Sequence, residues 1–400
     1  MAIKLSNRTI LIKPSPTLTL SAKAKEMSAA GIDVVNFGVG EPDFNTPEYI
    51  KKAAHQAIDD NFTRYTANAG IPDLKKAICA KLLRDNKLSY QPNQILVSPG
   101  AKASIVNILI AVCDFNDQVL MPMPYWVSYP YQAMLADAQP VYIPTLEEDN
   151  YKLTPAALSK AIGENPAAKV LILNSPSNPT GAVYTRPELE KLAEVCLKHN
   201  LLVVSDEIYE RLVYDRTEHV SIASLSPEMQ EHTVVINGVS KAYAMTGWRL
   251  GYAAGPAHII AAAGRVQEHA TSCVNSITQK ACVTALNEED DSIEMMRKQF
   301  EQRRNYLYEE LNKLPHISCF KPQGAFYIMP NISWYLKNNN AGIHSSDEFC
   351  TQLLEKHHVA LVSGGSFGIE SNVRFSYANS MDNLRKGVSR FAAFLEELRA

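Results

Sequence analysis

The chain contains 400 residues, carries a formal charge of −3 and is 46% hydrophobic. Its length exceeds what one core usually organises, so two domains are expected, with enough apolar content for a core in each. Basic and acidic residues are mixed throughout, which argues against a surface for nucleic acid or anionic lipid, and we expect neither partner.

No part of the chain has the pattern of a membrane or secreted protein. No apolar run reaches the ~20 residues that span a bilayer, and residues 1–14 lack the apolar core of a signal peptide. The seven cysteines are odd in number, widely spaced and without a CxxC pair. We therefore expect a cytoplasmic protein with reduced thiols and with neither a disulfide framework nor a metal site.

The start of the chain is rich in residues that interrupt regular structure, namely Pro14, Pro16, Pro42 and Pro47. We expect an arm over residues 1–14 and a crossover strand before the first clear helix. Residues 15–47 are expected to join the smaller of the two domains.

Short β-branched runs then alternate with helical stretches, and the predicted strands are 95–98, 119–121, 170–173, 201–205 and 233–237. This alternation predicts an α/β fold with a mostly parallel sheet flanked by helices. Apolar residues at helical spacing predict a long linking helix over 292–314 and a closing helix over 384–398. We therefore place the large domain at 48–291, and a smaller α/β domain at 15–47 with 292–400.

The segment that follows the last predicted strand runs from Ser240 to Arg249 and contains Lys241. A lysine there can bind an aldehyde covalently, while Ser240 and Arg249 can bind a phosphate beside it. Together these properties describe a site for pyridoxal 5'-phosphate, whose ring stores the electrons of a substrate carbanion. Taken alone, the segment is also compatible with an ordinary surface lysine.

Two neighbouring strand ends offer complementary groups. A βαβ crossover should bring Asn178 and Asp206 to the same edge of the sheet. Asp206 can keep a pyridine nitrogen protonated, and Asn178 and Tyr209 can donate to the phenolate oxygen of the cofactor, which lowers the basicity of its link to lysine. Each residue alone also suits a turn, a helix N-cap or simple packing, but their convergence on one edge favours a cofactor site.

Three further segments offer binding groups. Gly100, Ala101 and Lys102 lie in a small-residue turn that opens a helix, where backbone N–H groups form an anion site. Trp126, just past a strand end, can stack on the cofactor ring or pack in a core. Arg374, in a β-like run, can bind a carboxylate through two hydrogen bonds or form a salt bridge at the surface.

Several motifs together carry a family resemblance: Gly38-Val39-Gly40-Glu41-Pro42-Asp43-Phe44, Tyr65 with Gly70-Ile71-Pro72, Pro124-Tyr125-Trp126, Asn178-Pro179-Thr180-Gly181, Ser205-Asp206-Glu207-Ile208-Tyr209, the segment around Lys241, and Arg374. Over its whole length the chain resembles the fold-type I pyridoxal-phosphate aminotransferases of class I, and more narrowly the bacterial-type aspartate aminotransferases of subgroup Ib. This resemblance implies a homodimer whose active sites lie at the subunit interface.

The resemblance also implies roles for individual residues. Tyr65 would reach the cofactor phosphate of the neighbouring subunit, and Gly40 would line the substrate pocket. Arg374 would bind the α-carboxylate of the substrate, assisted by Asn178 and Trp126.

The choice of substrate depends on Lys102. Subgroup Ib resembles this chain in having a lysine there that can meet the distal carboxylate of the substrate, although the residue alone also suits a solvated lysine at a helix start. Ser15 and Thr17 match a family segment that closes over the bound dicarboxylate. The implied reaction is a ping-pong transfer of the amino group of L-aspartate to 2-oxoglutarate, giving oxaloacetate and L-glutamate.

Other functions remain open on the same scaffold. Some members with the Thr17 and Lys102 pattern also transaminate prephenate, and aromatic aminotransferases and carbon–sulfur lyases share the cofactor residues. A non-enzymatic binding protein is the least favoured interpretation, because such a protein should lack the lysine, the aspartate or the arginine.

Overall fold

The computed structural model describes residues 3–14, 16–288 and 290–399. Its helices are α1 (Asn7–Leu11), α2 (Pro16–Ala29), α3 (Glu48–Asp59), α4 (Pro72–Asn86), α5 (Ala101–Val112), α6 (Tyr129–Leu135), α7 (Pro155–Glu164), α8 (Arg186–Lys198), α9 (Pro227–Glu231), α10 (Ala257–Ala270), α11 (Ser276–Asn287), α12 (Ser292–Asn312), α13 (Ser333–Lys337), α14 (Ser346–His357) and α15 (Met381–Arg399). Within the described ranges, no helix is long and apolar enough to cross a bilayer.

The strands are β1 (Val35–Asn36), β2 (Ile95–Ser98), β3 (Gln118–Met123), β4 (Gln139–Pro144), β5 (Ala168–Asn174), β6 (Leu202–Asp206), β7 (Thr233–Gly238), β8 (Gly251–Ala254), β9 (Tyr327–Ile328), β10 (Val359–Ala360), β11 (Val362–Ser363) and β12 (Val373–Ser376). The central sheet has the order β2-β8-β7-β6-β5-β3-β4. Its pairs from β7 to β4 are parallel, and β8 runs antiparallel to both of its neighbours. The prediction of a mostly parallel sheet is therefore confirmed.

The inner strands of this sheet are almost wholly buried, as in the run Thr233–Gly238. Strands covered by helices on both faces read as continuous apolar stretches, which explains why this part of the sheet could be predicted. All of the predicted strands correspond to observed ones, namely β2, β3, β5, β6 and β7.

A second core lies outside the central sheet and is formed by the C-terminal part of the chain. Phe300 and Leu307 of α12 pack in it with Phe391 and Leu395 of α15 and with Phe375 of β12. Both amphipathic helices predicted from their apolar spacing are confirmed by α12 and α15. Two small sheets, β1-β10 and β11-β12-β9, complete this part of the fold.

The region before residue 48 differs from the prediction. It was expected to hold an arm and a crossover strand before the first clear helix, yet α2 spans Pro16–Ala29. Pro16 is the first residue of α2, where no backbone N–H is needed and where the fixed φ of proline suits a helix. The proline therefore begins this helix rather than preventing it, and the short strand β1 follows.

The carboxyl ends of β2, β3, β5, β6 and β7 lie along one edge of the central sheet, because these strands all run in the same direction. They end at Ser98, Met123, Asn174, Asp206 and Gly238. Open α/β sheets bind ligands just beyond such ends, where each loop adds side chains to a common space.

Candidate active site

A cavity of about 300 Å³ opens at this edge of the sheet. It brings together most of the residues singled out from the sequence, namely Gly40, Ala101, Lys102, Trp126, Asn178, Asp206, Tyr209, Ser240, Lys241, Arg249 and Arg374. Arg374 comes from β12 of the second core, and the others from Ala101 to Arg249 follow strands of the central sheet. The cavity therefore lies where the two cores meet.

Lys241 follows β7 and projects into the cavity. Its Nζ donates a hydrogen bond to the carbonyl oxygen of Gly40 at 2.5 Å. Burial lowers the pKa of Lys241 to about 8, with Glu41 acting in the opposite direction and Arg249 adding to the decrease. An amine with such a pKa is neutral in an appreciable fraction of molecules near neutral pH, as a nucleophile or general base requires.

Asp206, the last residue of β6, is only 4% exposed. Its carboxylate accepts hydrogen bonds from Tyr129 Oη at 2.7 Å and from the backbone N–H of Ile208 at 3.2 Å. Burial raises the pKa of Asp206 to about 6, while these two hydrogen bonds oppose the increase. Neither donor carries a charge, so a cationic ring nitrogen in the cavity would supply the charged partner that a buried carboxylate needs.

Asn174 holds two of the neighbouring strand ends together. Its Oδ1 accepts from the backbone N–H of Asn178 at 2.8 Å, and its Nδ2 donates to the carbonyl oxygen of Asp206 at 2.9 Å. Both ends of one amide are thereby used to fix the loop of Asn178 against β6. This residue was not identified as a site residue from the sequence, where Asn174 only follows the predicted strand 170–173.

Arg374 is buried and held in one orientation. Its Nη1 donates to Oδ1 of Asn178, and its Nη2 donates to the carbonyl oxygen of Gly38, both at 2.9 Å. The guanidinium lies 4.3 Å from the ring centroid of Tyr327 and 4.9 Å from that of Phe367. A guanidinium held between two aromatic rings is suited to bind a planar carboxylate in a fixed position.

The other end of the cavity is suited to a phosphate. Gly100 precedes α5 at φ +89°, and a Cβ there would lie 2.5 Å from Nη2 of Arg249. The guanidinium of Arg249 thus lies directly over the first turn of α5, and its Nη1 donates to the carbonyl oxygen of Thr246. A helix N-terminus, a guanidinium and the hydroxyl of buried Ser240 together form an anion-binding site.

Lys102 and Trp126 lie side by side in the lining of the cavity. The Lys102 ammonium is 5.0 Å from the centroid of the Trp126 ring, and that ring contacts Tyr129 edge to face at 5.2 Å. Trp126 is half-buried and borders the cavity, so it is not an ordinary core tryptophan. Tyr129, which also holds Asp206, was missed, although its place at the start of α6, three residues after Trp126, offered a weak signal.

Two predicted residues, Gly100 and Tyr65, are not among the residues that line this cavity. Tyr65 is 92% exposed and lines a separate surface depression with Arg64 and Asn275. Thr17 belongs to the first turn of α2, and Ser15 lies outside the described residues.

A second ionisable cluster lies behind Asp206. Possible ligand atoms of Glu207, Glu210 and His219 are within 4.8 Å of one another. The Lys81 ammonium binds Glu210, so this carboxylate already has a cationic partner within the protein. Burial alone would raise the pKa of Glu210, but Lys81 and His219 lower it to about 2.

The fold and the cavity together are typical of one class of enzyme. It is the class of α/β transferases whose reactive cavity lies at the carboxyl ends of the strands of a mostly parallel sheet. The sequence matches the family model of class I and II aminotransferases over residues 32–391. The chain therefore belongs to this aminotransferase family.

Known relatives match nearly the whole chain. An aspartate aminotransferase of Geobacillus stearothermophilus is 48% identical over 98% of this chain and 99% of its own length. An aspartate/prephenate aminotransferase of Cereibacter sphaeroides is 44% identical over 98% of both chains. The crystal structure of the aspartate aminotransferase from Rhizobium meliloti superposes with a TM-score of 0.95 at 40% identity, covering 99% of this chain and 100% of that one.

Proposed function

We propose that the protein is an aspartate aminotransferase, which transfers the amino group of L-aspartate to 2-oxoglutarate with pyridoxal 5'-phosphate as cofactor. One observation carries the choice of substrate: Arg374 and Lys102 line the same cavity as Lys241. A dicarboxylic amino acid needs two cations, one for each carboxylate, and a reactive amine between them. The relatives that match nearly the whole chain support the same activity.

The residues present fit pyridoxal phosphate, because a buried carboxylate without a cationic partner, an anion-binding end and a low-pKa lysine share one cavity. When bound, the cofactor supplies a protonated ring that stores the electrons of a substrate carbanion. Lys241 would bind the aldehyde, Asp206 the ring nitrogen, Asn178 and Tyr209 the phenolate oxygen, and Trp126 the ring face. The phosphate would be held by the backbone of Gly100, Ala101 and Lys102 and by the side chains of Ser240 and Arg249, which leaves the Lys102 ammonium for the substrate.

The remaining chemistry belongs to the side chains of this chain. Arg374, fixed by Asn178, binds the α-carboxylate and prevents the substrate from turning in the cavity. Lys241, once its amine is free and neutral, would remove the proton from the substrate Cα and deliver it to C4′, the aldehyde-derived carbon of the cofactor. The second oxo acid uses the same side chains in the reverse order, which makes the kinetics ping-pong.

We also propose that two copies share each active site. Tyr65 supports this proposal, because its side chain is 92% exposed and its depression adjoins the region of Arg249 through Cys273 and Asn275. A large domain over 48–291 and a smaller one over 15–47 and 292–400 are part of the same proposal. The movement of one against the other would open and close the cavity between their cores.

Prephenate is the second candidate substrate, because it also carries a second carboxylate and a 44% identical relative is named for it. The deciding experiment measures turnover by the purified protein with different substrates. Aspartate, tyrosine and alanine are tested as amino donors to 2-oxoglutarate, and glutamate is tested as the donor to prephenate. We expect kcat/KM with 2-oxoglutarate to be highest for aspartate. Faster reaction of tyrosine or alanine would contradict the proposal, and pyruvate release from cysteine without an acceptor would indicate a lyase.

The role of Lys102 can be separated from general damage. Lys102→Met should raise KM for aspartate by ~10-fold or more while leaving KM for alanine nearly unchanged, since only aspartate has a distal carboxylate. Lys160→Met, on an exposed lysine of α7, is the control. Equal effects of Lys102→Met on both substrates would remove Lys102 from substrate selection.

A further inference from the structure

Tyr327 is a buried tyrosine of β9 whose hydroxyl reaches the candidate active site. Its Oη lies 2.9 Å from Oη of Tyr209, and the two rings meet nearly perpendicular to each other. This contact depends on a glycine, since a Cβ at Gly40 would lie 2.8 Å from Oη of Tyr327. Three segments far apart in the sequence thus converge on one hydroxyl.

We propose that Tyr327 is a positioning residue, which donates its hydroxyl proton to Tyr209 and thereby leaves the proton of Tyr209 free to point into the cavity. This inference rests on the proposed function, because the group that would receive the proton of Tyr209 is the phenolate oxygen of pyridoxal phosphate.

The hydroxyl groups of Tyr209 and Tyr327 have two protons between them. Burial raises the pKa of both phenols, so each is neutral and carries one proton. A single hydrogen bond between them uses one of the two protons. If Tyr209 donated to Tyr327, it would have no proton for a ligand. If Tyr327 donates, Tyr209 accepts there and keeps its own proton for the cavity.

Arg374 favours the second arrangement. Its guanidinium lies 4.3 Å from the ring centroid of Tyr327, and a cation over a phenol ring makes its hydroxyl a better donor. The ring of Tyr209 has the Lys241 ammonium at a larger distance, 5.8 Å from its centroid. The residue that fixes the substrate carboxylate is therefore linked through Tyr327 to the residue that faces the cofactor.

The effect of Tyr327 on Tyr209 can be measured through the cofactor. When pyridoxal phosphate is bound covalently to Lys241, its absorption changes as the nitrogen that links the two is protonated. A donor to the phenolate favours the unprotonated link and lowers its pKa. Tyr327→Phe removes the bond that polarises Tyr209, so the pKa of the link should rise by about half a unit. The KM for aspartate should stay near the wild-type value, since the ring under Arg374 is retained.

Tyr335→Phe is the matched control. Tyr335 is equally buried, belongs to the same core, and donates from its hydroxyl to the carbonyl oxygen of Pro315 at 2.8 Å, outside the cavity. The Tyr335→Phe variant should lose about as much stability as Tyr327→Phe, and the absorption spectrum of its bound cofactor should titrate as in the wild type. In a Tyr209→Phe background, Tyr327→Phe should add nothing, because Tyr327 acts through Tyr209.

An unchanged spectral pKa in Tyr327→Phe, or an equal shift in Tyr335→Phe, would overturn the role of Tyr327 while leaving the proposed function intact. If the proposed function itself were wrong, the result would differ, because the wild-type protein would then bind no pyridoxal phosphate and show no absorption that titrates with pH.

Discussion

Asp206→Asn tests the pairing of a buried carboxylate with a cationic ring nitrogen. The amide has nearly the same shape as the carboxylate and removes only the charge. The wild-type carboxylate accepts from Tyr129 and from the N–H of Ile208, and both donors are uncharged. The negative charge is therefore available for a ligand in the cavity, and its loss should weaken the binding of pyridoxal phosphate.

The magnitude follows from the type of interaction that is lost. A hydrogen bond between charged partners contributes about 1.5–3 kcal/mol, so cofactor affinity should fall by roughly 10- to 150-fold. The dissociation constant is measured by titrating the cofactor-free protein and following the absorption of the bound cofactor. Turnover at saturating cofactor should also decrease, because the ring nitrogen is no longer kept protonated.

The pH dependence gives a sharper signature. The pKa of Asp206 is raised to about 6, so the carboxylate is charged above this pH and protonated below it. The advantage of the wild type over Asp206→Asn should thus be largest above pH 6 and decline below it by about tenfold per pH unit, until the two affinities approach each other. The free cofactor titrates identically in both experiments, so its ionisation cancels in the ratio of the two affinities, and the change that remains comes from the substitution at position 206.

Glu207→Gln is the control for this experiment. Glu207 is the next residue, is equally buried, and accepts from Ser205, Ser221 and His219, but it does not line the cavity. The Glu207→Gln substitution should lower the stability of the fold without changing the affinity for the cofactor. If both variants lost affinity equally, or if the affinity ratio of Asp206→Asn were flat from pH 5 to 8, the pairing would be refuted.

Three further experiments test other parts of the structure. Arg374→Lys should raise the KM for aspartate by about 10-fold or more in steady-state assays, because an ammonium cannot form two parallel hydrogen bonds to a carboxylate; an unchanged KM would contradict the assignment. A mixture of Lys241→Ala and Tyr65→Ala subunits should regain roughly a quarter of wild-type activity, since half of the dimers have one intact site; activity equal to the mean of the two parents would exclude shared sites. Glu210→Gln should destabilise the fold by about 3 kcal/mol in urea unfolding, because it removes the nearer of the two carboxylates that face the buried Lys81 ammonium and leaves only Asp85 at 3.9 Å. The pKa of Glu210 is depressed from 4.5 to about 2, so this difference should be full above pH 4.5 and disappear towards pH 2, and a pH-independent difference would contradict it.

The parts of the fold that could be predicted are those whose local pattern agrees with their final environment. Strands β5 to β7 are apolar runs buried on both faces, and α12 has an apolar stripe in a charged background. Strand β4 was missed because Pro140 and Pro144 interrupt it at the edge of the sheet. Strand β8 was missed because Gly251, Ala253 and Ala254 are too small to give a β-branched signal.

The site shows the same distinction between local and long-range signals. Residues that directly follow a strand, such as Asp206 and Lys241, could be assigned to the cavity because parallel strands end at one edge. Tyr327 could not, since it meets Tyr209 across 118 positions of sequence and neither residue has a pattern that indicates the other. Such contacts depend on how the second core packs against the central sheet.

The net charge of the whole chain does not predict the charge of the cavity. The chain as a whole is slightly acidic, yet the charged residues described in the cavity lining are four cations and one carboxylate: Lys102, Lys241, Arg249, Arg374 and Asp206. A concave site with more cations than anions attracts small anions and raises their local concentration, whatever the net charge of the protein. A phosphate and two carboxylates together supply the negative charge that these cations require. Burial is the main cause of the lowered pKa of Lys241, and the charges of Arg249 and Arg374 add to the decrease, which favours the neutral amine that can react.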